Sequence, residues 1–300
     1  MAGIRQQQPF SVWTLVVFTA VAFGSGGLLS KGLIDRGVDS FTVTAVPFLA
    51  AGAVGFVVAG RRGDFRRAAI VPGIVLGIFN SAMPALFFNI GFETLPAGLV
   101  TLIISLGPTI TAALAHLVFA DERFNMMKGI GLAVALAGVI GLVAAPGVIE
   151  GASYRGAAWV TAGSVVAGSS AVLARWYAVR HGGRALIPSQ LTTAGVTPLI
   201  AAAAFGRQMI PRGGFAGGDI PIMVAIGIGA SYLGFRSLMI ANERGTTGQI
   251  AVVPYLLPLI GVTGGIVFFD EQLTPWIVIG GLLILAGVAI AGRASKSAVR

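Results

Sequence analysis

The sequence predicts an all-α polytopic membrane protein, with ten transmembrane helices in two inverted five-helix repeats around a central cavity. Three observations carry this. First, 56% of the 300 residues are hydrophobic and only 10% are charged, against about 25% charged in a soluble domain; the mean hydropathy is +0.90. Second, the charges are unevenly placed, so that ten long apolar stretches alternate with short charged or polar connections. Third, one phrase occurs twice: "PTITAALAHLVFADE" from Pro108 to Glu122 and "PLIGVTGGIVFFDE" from Pro258 to Glu271.

The helices follow in order. The opening "MAGIRQQQPF" holds one Arg and leads into an apolar run, 12–31. This reads as a first membrane helix and not as a removed signal peptide. The second helix, 40–60, lies between Asp39 and Arg61–Arg62. The third, 68–91, runs from Arg67 to Glu93, and the fourth, 96–118, stops before Asp121–Glu122. The fifth, 128–145, begins at Lys128. The sixth, 156–177, follows Arg155, and the seventh, 185–205, lies between Arg184 and Arg207. The eighth, 220–241, follows Asp219 and is interrupted by Arg236. The ninth, 246–268, stops before Asp270–Glu271, and the tenth, 273–292, stops at Arg293. Each comes near the roughly 20 apolar residues that span a bilayer. The connections are too short to hold a separate soluble domain. Trp13, Trp159, Trp176 and Trp276 fall near predicted helix ends, where an aromatic belt is expected. The 44 glycines suit close helix packing in lipid. With no cysteine and two histidines, disulfides and Cys/His zinc sites are excluded, and neither a metal nor a cofactor is expected.

The net charge of +9 reads as basic cytoplasmic loops, not as a nucleic-acid surface. With the N-terminus in the cytoplasm, the inside set is Arg5, Arg61, Arg62, Arg66, Arg67, Arg123, Lys128, Arg175, Arg180, Arg184, Arg244, Arg293, Lys296 and Arg300. The outside set is Lys31, Arg36, Arg155, Arg207 and Arg212. Fourteen against five puts both termini in the cytoplasm by the positive-inside rule.

The repeated phrase is part of a longer correspondence at an offset of 150. Glu93 meets Glu243, Gly98 meets Gly248 and Pro108 meets Pro258. One residue drops out, after which Asp121–Glu122 meets Asp270–Glu271 and "LAGV" at 136–139 meets "LAGV" at 285–288. The repeats are therefore 1–150 and 151–300. Five helices is an odd number, so the second repeat enters the bilayer upside down. Inverted repeats of this kind are a hallmark of secondary transporters, with the substrate site near the midplane.

The segment "PYLLPLIGVTGGIVFFDEQLTPWIVIGGLLILAGVAI" (254–290) resembles the signature of the drug/metabolite transporter superfamily, and more narrowly that of its EamA-type exporters. "LPAGLVTLIISLGPTITAALAHLVFADE" (95–122) is the first-repeat version. In length and layout the chain is similar to the aromatic amino acid exporters of that superfamily. The resemblance implies a central cavity lined by helices from both repeats, with the fifth and tenth helices packed behind.

Other chemistries find little support. There is no G-x-x-x-x-G-K-[ST] phosphate loop. "GIGAS" (227–231) lies inside a membrane helix, and "GSGG" (24–27) has no histidine at its depth to activate the serine. All eleven acids fall at helix ends or in loops. Arg236 lies about a turn and a half before the end of its helix, either as a functional intramembrane charge or snorkelling to the interface. Lys31 and Arg175 read as snorkelling, and His116 as structural. The candidate substrate-binding residues are Asn80, Ser81, Pro84, Phe87, Thr101, Ser105, Ser164, Tyr232, Arg236, Gln249 and Tyr255. Asn80, Pro84, Phe87 and Gly91 share a face by i, i+4, i+7, i+11 spacing. Ser81 and Ser231 are mates at offset 150, as are Ser105 and Tyr255. Each alone reads more readily as helix-packing glue, but concentrated in the third, fourth, eighth and ninth helices they read as a cavity lining. Phe87, Phe88, Tyr232 and Tyr255 would give it an aromatic wall, and Pro84, Pro108, Pro254 and Pro258 would bend its helices.

The expectation is a secondary transporter, not an enzyme, that exports small metabolites by alternating access, with neutral bulky amino acids including aromatic ones as substrates. Other small neutral metabolites or drugs are the alternative, and a membrane enzyme or channel is the alternative of a different class. The expected partners are the substrate and the lipid bilayer, without nucleic acid, for a monomer or weak oligomer.

Overall fold

The computed structural model describes residues 11–114, 126–145, 153–211, 213–244 and 253–297. They form ten helices, and no strand occurs among them. We number them α1 (Val12–Asp35), α2 (Ser40–Arg62), α3 (Arg67–Phe92), α4 (Ala97–Ile104, then Gly107–Leu114), α5 (Met126–Ala144), α6 (Ser153–His181), α7 (Gly183–Ala204), α8 (Asp219–Ala225, Ile226–Leu233 and Gly234–Arg244 in continuity), α9 (Val253–Phe269) and α10 (Pro275–Ser297). Six of them are long and apolar enough to cross a membrane singly: α1, α2, α3, α6, α7 and α8. Even α5, with 19 residues, reaches about 28 Å at 1.5 Å per residue, close to the hydrocarbon thickness.

Local chemistry sets the helix ends. Ser11 caps α1, accepting from the Thr14 amide at 3.1 Å, and Asp39 caps α2, accepting from the Phe41 amide at 2.9 Å, the side-chain cap that an orphan N–H calls for. α2 ends on Arg61, Arg62 and then Gly63 at φ +68°, combining basic residues at the negative helix end with a left-handed glycine stop.

The expected continuous fourth helix is broken instead, at Ser105–Leu106. Pro108 brings no N–H, and its ring crowds the carbonyl four residues back. The ladder tightens before it, and the Ser105 amide is shared between Thr101 O and Leu102 O, both at 3.2 Å. In α3, Pro84 follows a π-helical turn, Gly77–Ala82. Pro254 sits in the first turn of α9, and α9 runs on through Pro258. Of the four prolines, two therefore mark an irregularity in their helix.

The helices pack in a paired pattern. α2 lies against α7, α5 against α10, and α4 against α9. α1 contacts α8 and α9, while α6 contacts α3 and α4; α2 also meets α8, and α7 meets α3. Exchanging each helix number by five maps this set onto itself. Close approaches use glycine. A Cβ on Gly138 would lie 2.9 Å from the Ile284 amide nitrogen, and one on Gly287 would lie 2.4 Å from that of Ala135. These two glycines sit at equivalent places in the two "LAGV" phrases. The largest apolar core joins α4, α5, α6 and α10 around Leu99, Ile103, Leu106, Leu142, Val160 and Ile284.

Val12 and Ser297 lie at one end of the bundle, which we call the terminal end. The far end is stitched by polar groups. Arg207 pairs with Asp39 at 2.7 Å and reaches Glu93 at 3.7 Å. The Ser40 hydroxyl donates to Glu93, Arg36 pairs with buried Asp219 at 3.1 Å, and Lys31 pairs with Asp35.

Candidate substrate site

Two π-helical turns set the middle of the bundle. In α3 the turn spans Gly77–Ala82, and in α8 it spans Ile226–Leu233. Gly77 and Gly227 stand 150 residues apart, as do Ser81 and Ser231. A π turn inserts an extra residue and swings side chains to new directions; such bulges recur at functional sites. Each turn is pressed onto a neighbouring helix by its glycine. A Cβ on Gly77 would lie 2.6 Å from Gln190 O of α7, and one on Gly227 would lie 2.4 Å from Pro47 O of α2.

The α3 turn gathers a polar group. The Asn80 amide donates to Ser170 Oγ of α6 at 3.1 Å. The Gln190 amide of α7 donates to Ser81 Oγ at 3.0 Å and to Asn80 Oδ1 at 3.4 Å. Ser81 and Gln190 are each 2% exposed. Polar groups in lipid need partners, and here three helices supply them to one another.

The α8 turn gathers an aromatic and cationic group. Arg236 Nη1 donates to the Tyr232 hydroxyl at 3.2 Å, so the guanidinium is held one turn from the bulge. Tyr232 is buried with Phe48, Ala82 and Leu191, placing it beside the segments that carry Ser81 and Gln190. Phe235 stacks edge-on against Phe23 of α1 at 5.3 Å and lies 6.4 Å from Phe48 of α2.

The eleven candidate residues thus divide. Asn80, Ser81, Tyr232 and Arg236 are brought into these two adjoining groups, with Pro84 two residues past the α3 turn. Phe87 stacks on Trp159 of α6 at 4.8 Å, and Phe88 packs beside Gly163 of the same helix. The hydroxyls of Thr101, Ser105 and Ser164 are bound to backbone carbonyls: Thr101 to Gly98 O at 2.9 Å, Ser105 to Leu102 O at 2.6 Å, and Ser164 to Val160 O at 2.9 Å and Ile103 O at 3.1 Å. Ser164 thereby occupies a carbonyl beside the break in α4. Gln249 and the Tyr255 side chain lie outside the described residues, as do His116, Asp121 and Glu122.

Sequence reasoning missed Gln190, Ser170, Phe23, Phe48 and Phe235. Gln190 was the readable one, as an amide within the charge-free stretch 185–204. The aromatic group comes from three separate helices and has no local signature. A further polar ladder missed in this way joins α2 to α3, where the buried Asn89 amide donates to Thr44 Oγ1 at 2.8 Å.

The EamA-like transporter family matches this chain twice, over residues 11–144 and 154–293. The chain belongs to the EamA-like transporter family. It is a transporter and not an enzyme. Among relatives, it is 29% identical over 297 residues to a protein of Streptantibioticus cattleyicolor described as a "Probable terminal-alkyne amino-acid exporter", covering 94% of this chain and 93% of that one. It is 28% identical to the "Uncharacterized transporter YvbV" of Bacillus subtilis, covering 70% of this chain and 67% of the relative. An "Uncharacterized transporter" of Archaeoglobus fulgidus is 25% identical, with 73% and 76% covered. A solved crystal structure superposes with a TM-score of 0.68 over 96% of this chain and 100% of its own, at 20% identity; that likeness concerns the fold alone. Family membership makes the paired bundle a transport scaffold, with the two π turns where its halves meet.

Proposed function

We propose that this EamA-like transporter exports small neutral metabolites by alternating access, and that its substrates are amino acids with bulky side chains, aromatic ones among them. The observation that carries the reading is the composition of the middle of the bundle. The side chains gathered there are amides, hydroxyls and one guanidinium, with no carboxylate among the described residues at that level. A zwitterion is met by such a set: the guanidinium for its carboxylate and neutral oxygens for its ammonium. A lipophilic cation would call for a buried acid, and a sugar phosphate for several buried cations. Phe23, Phe48 and Phe235 offer an apolar wall beside Arg236, with ring stacking worth about 0.5–1.5 kcal/mol per pair. The exporter of Streptantibioticus cattleyicolor supports an amino acid as the class of cargo.

The proposal extends to architecture. Residues 1–150 and 151–300 act as inverted five-helix repeats; the twofold family match, the paired helix contacts and the offset of 150 between the π turns support this. Both termini face the cytoplasm of a bacterial cell, and the functional unit is a monomer or weak oligomer. The acids at helix ends favour facilitated exchange down the substrate gradient over a proton relay.

The test is counterflow in liposomes preloaded with an amino acid. Saturable uptake accelerated by internal substrate is the expected result. Unsaturable flux would mark a channel, and product formation without exchange would mark an enzyme; either overturns the proposal.

A further inference from the structure

We propose that Glu271 is a positioning residue for transport. Its carboxylate latches α4 to the α9–α10 turn at the far end, and the latch must open for that end to exchange substrate. The inference rests on the alternating-access reading above.

The first N–H groups of a helix need partners, which the residue at its start usually supplies. α4 starts after Pro96, which makes no side-chain cap. Its amides turn instead to Glu271, more than 170 residues away in sequence. The Ala97 amide donates to Glu271 Oε1, and the Gly98 amide donates to Oε2 at 3.0 Å. Both carboxylate oxygens are thus committed to one helix end, where the helix dipole favours negative charge.

The surroundings are shaped to this contact. Asp270 takes φ +52°, uncommon outside glycine, and this bend turns the chain back so that the Glu271 amide donates to Gly265 O at 3.1 Å. A Cβ on Gly265 would sit 2.2 Å from Glu271 Oε2. One on Gly98 would sit 3.2 Å from Val262 Cα and 3.3 Å from the same oxygen. Beneath the carboxylate, α4 and α9 meet through small groups, Gly98 on Val262 and Thr101 on Gly261. A cavity of about 80 Å³ lies against this joint, lined by Glu271 and Leu273 of the turn and Ile277 of α10 together with Leu99, Val262 and Ile266. Apolar packing at this joint is therefore incomplete, and the carboxylate supplies the tie. Such a tie is reversible, because on separation both the helix end and the carboxylate regain water.

This placement separates Glu271 from the other polar contacts at the far end. Arg207, Asp39, Glu93 and Ser40 tie α2, α3 and the segment after α7. Glu271 ties α4 to the turn between α9 and α10. If α4 and α9 line the pathway from opposite repeats, their far ends must part for it to open there.

The chain has no cysteine, so a single introduced one reports directly. Val262→Cys would be exposed to a membrane-impermeant thiol reagent applied from whichever face labels Gly217→Cys. With Glu271 intact, labelling should be slow. With Glu271→Gln or Glu271→Ala it should rise at least fivefold, with a changed KM for counterflow. Unchanged labelling beside a lowered Tm would show an ordinary structural cap and overturn the proposal. Should those variants fail to fold, Pro96→Cys with Gln272→Cys answers in the otherwise intact chain. Bridging the pair with a short bifunctional maleimide should cut counterflow at least tenfold, while each single variant treated alike keeps it. Wild-type exchange by the bridged protein would overturn the latch. Failure of the exporter reading itself would show differently, as absence of saturable counterflow in the unmodified chain.

Discussion

Gln190 is 2% exposed within a helix bundle, and its amide is shared between Ser81 and Asn80. Removing one member of such a set leaves buried partners unsatisfied, at about 1–3 kcal/mol. Gln190→Leu should therefore lower the Tm in detergent and, by loosening the Asn80 and Ser81 side chains it holds, raise the KM of counterflow severalfold while the protein still elutes as a single folded species. Arg236→Ala should weaken transport by a similar factor. Arg236→Lys should recover only part of it, because an ammonium cannot reproduce the fork that a guanidinium presents to a carboxylate. Equal activity of all three variants and the wild type would remove these residues from the site. Thr101, Ser105 and Ser164 offer a contrast. Their hydroxyls return to backbone carbonyls, so serine or threonine at depth signalled helix joints here as readily as a lining.

At the scale of the element, the two π turns depend on glycines that allow backbone contact. A methyl at Gly227 would meet Pro47 O at 2.4 Å, whereas Gly229, two residues on in the same turn, has nothing within 4 Å. Gly227→Ala should lower thermal stability, overpacking costing about 1–3 kcal/mol. Gly229→Ala should be neutral or stabilising, since alanine is the better helix former by up to about 1 kcal/mol. Unfolding curves in detergent compare the two; equal shifts would contradict the packing described. The helices themselves were legible, because charge and apolar length are local properties: Asp39, Arg61–Arg62, Glu93 and Arg207 mark element ends that the structure keeps. The break at Ser105–Leu106 was half legible, since Pro108 announced a bend without saying whether the helix would kink or stop. The π turns were not legible. Gly77 and Gly227 look like any of the other glycines until the partner helix is known, and Gly234 stands where the first half has Pro84. The Phe23–Phe235–Phe48 group was hidden for the same reason, as its members meet only through tertiary packing.

At the scale of the whole molecule, the proposed orientation rests on charge asymmetry, with both termini in the cytoplasm. Phe65, between α2 and α3, lies at the terminal end, and Gly217, between α7 and α8, lies at the far end. Phe65→Cys should react only from the cytoplasm and Gly217→Cys only from outside; labelling of both from one side of intact cells would refute the topology. The paired helix contacts fit the proposed inverted repeats, in which the two halves of the chain enter the bilayer with opposite orientation. In the proposed reading the cargo is selected in the middle of the bundle, where amides, hydroxyls and one guanidinium adjoin a group of aromatic rings. The most direct test is therefore a comparison of counterflow in one liposome preparation, with phenylalanine and tryptophan set against glutamate, lysine and a hexose phosphate. Saturable exchange with preference for phenylalanine or tryptophan is the predicted result, and preference for glutamate, lysine or the sugar phosphate would contradict it.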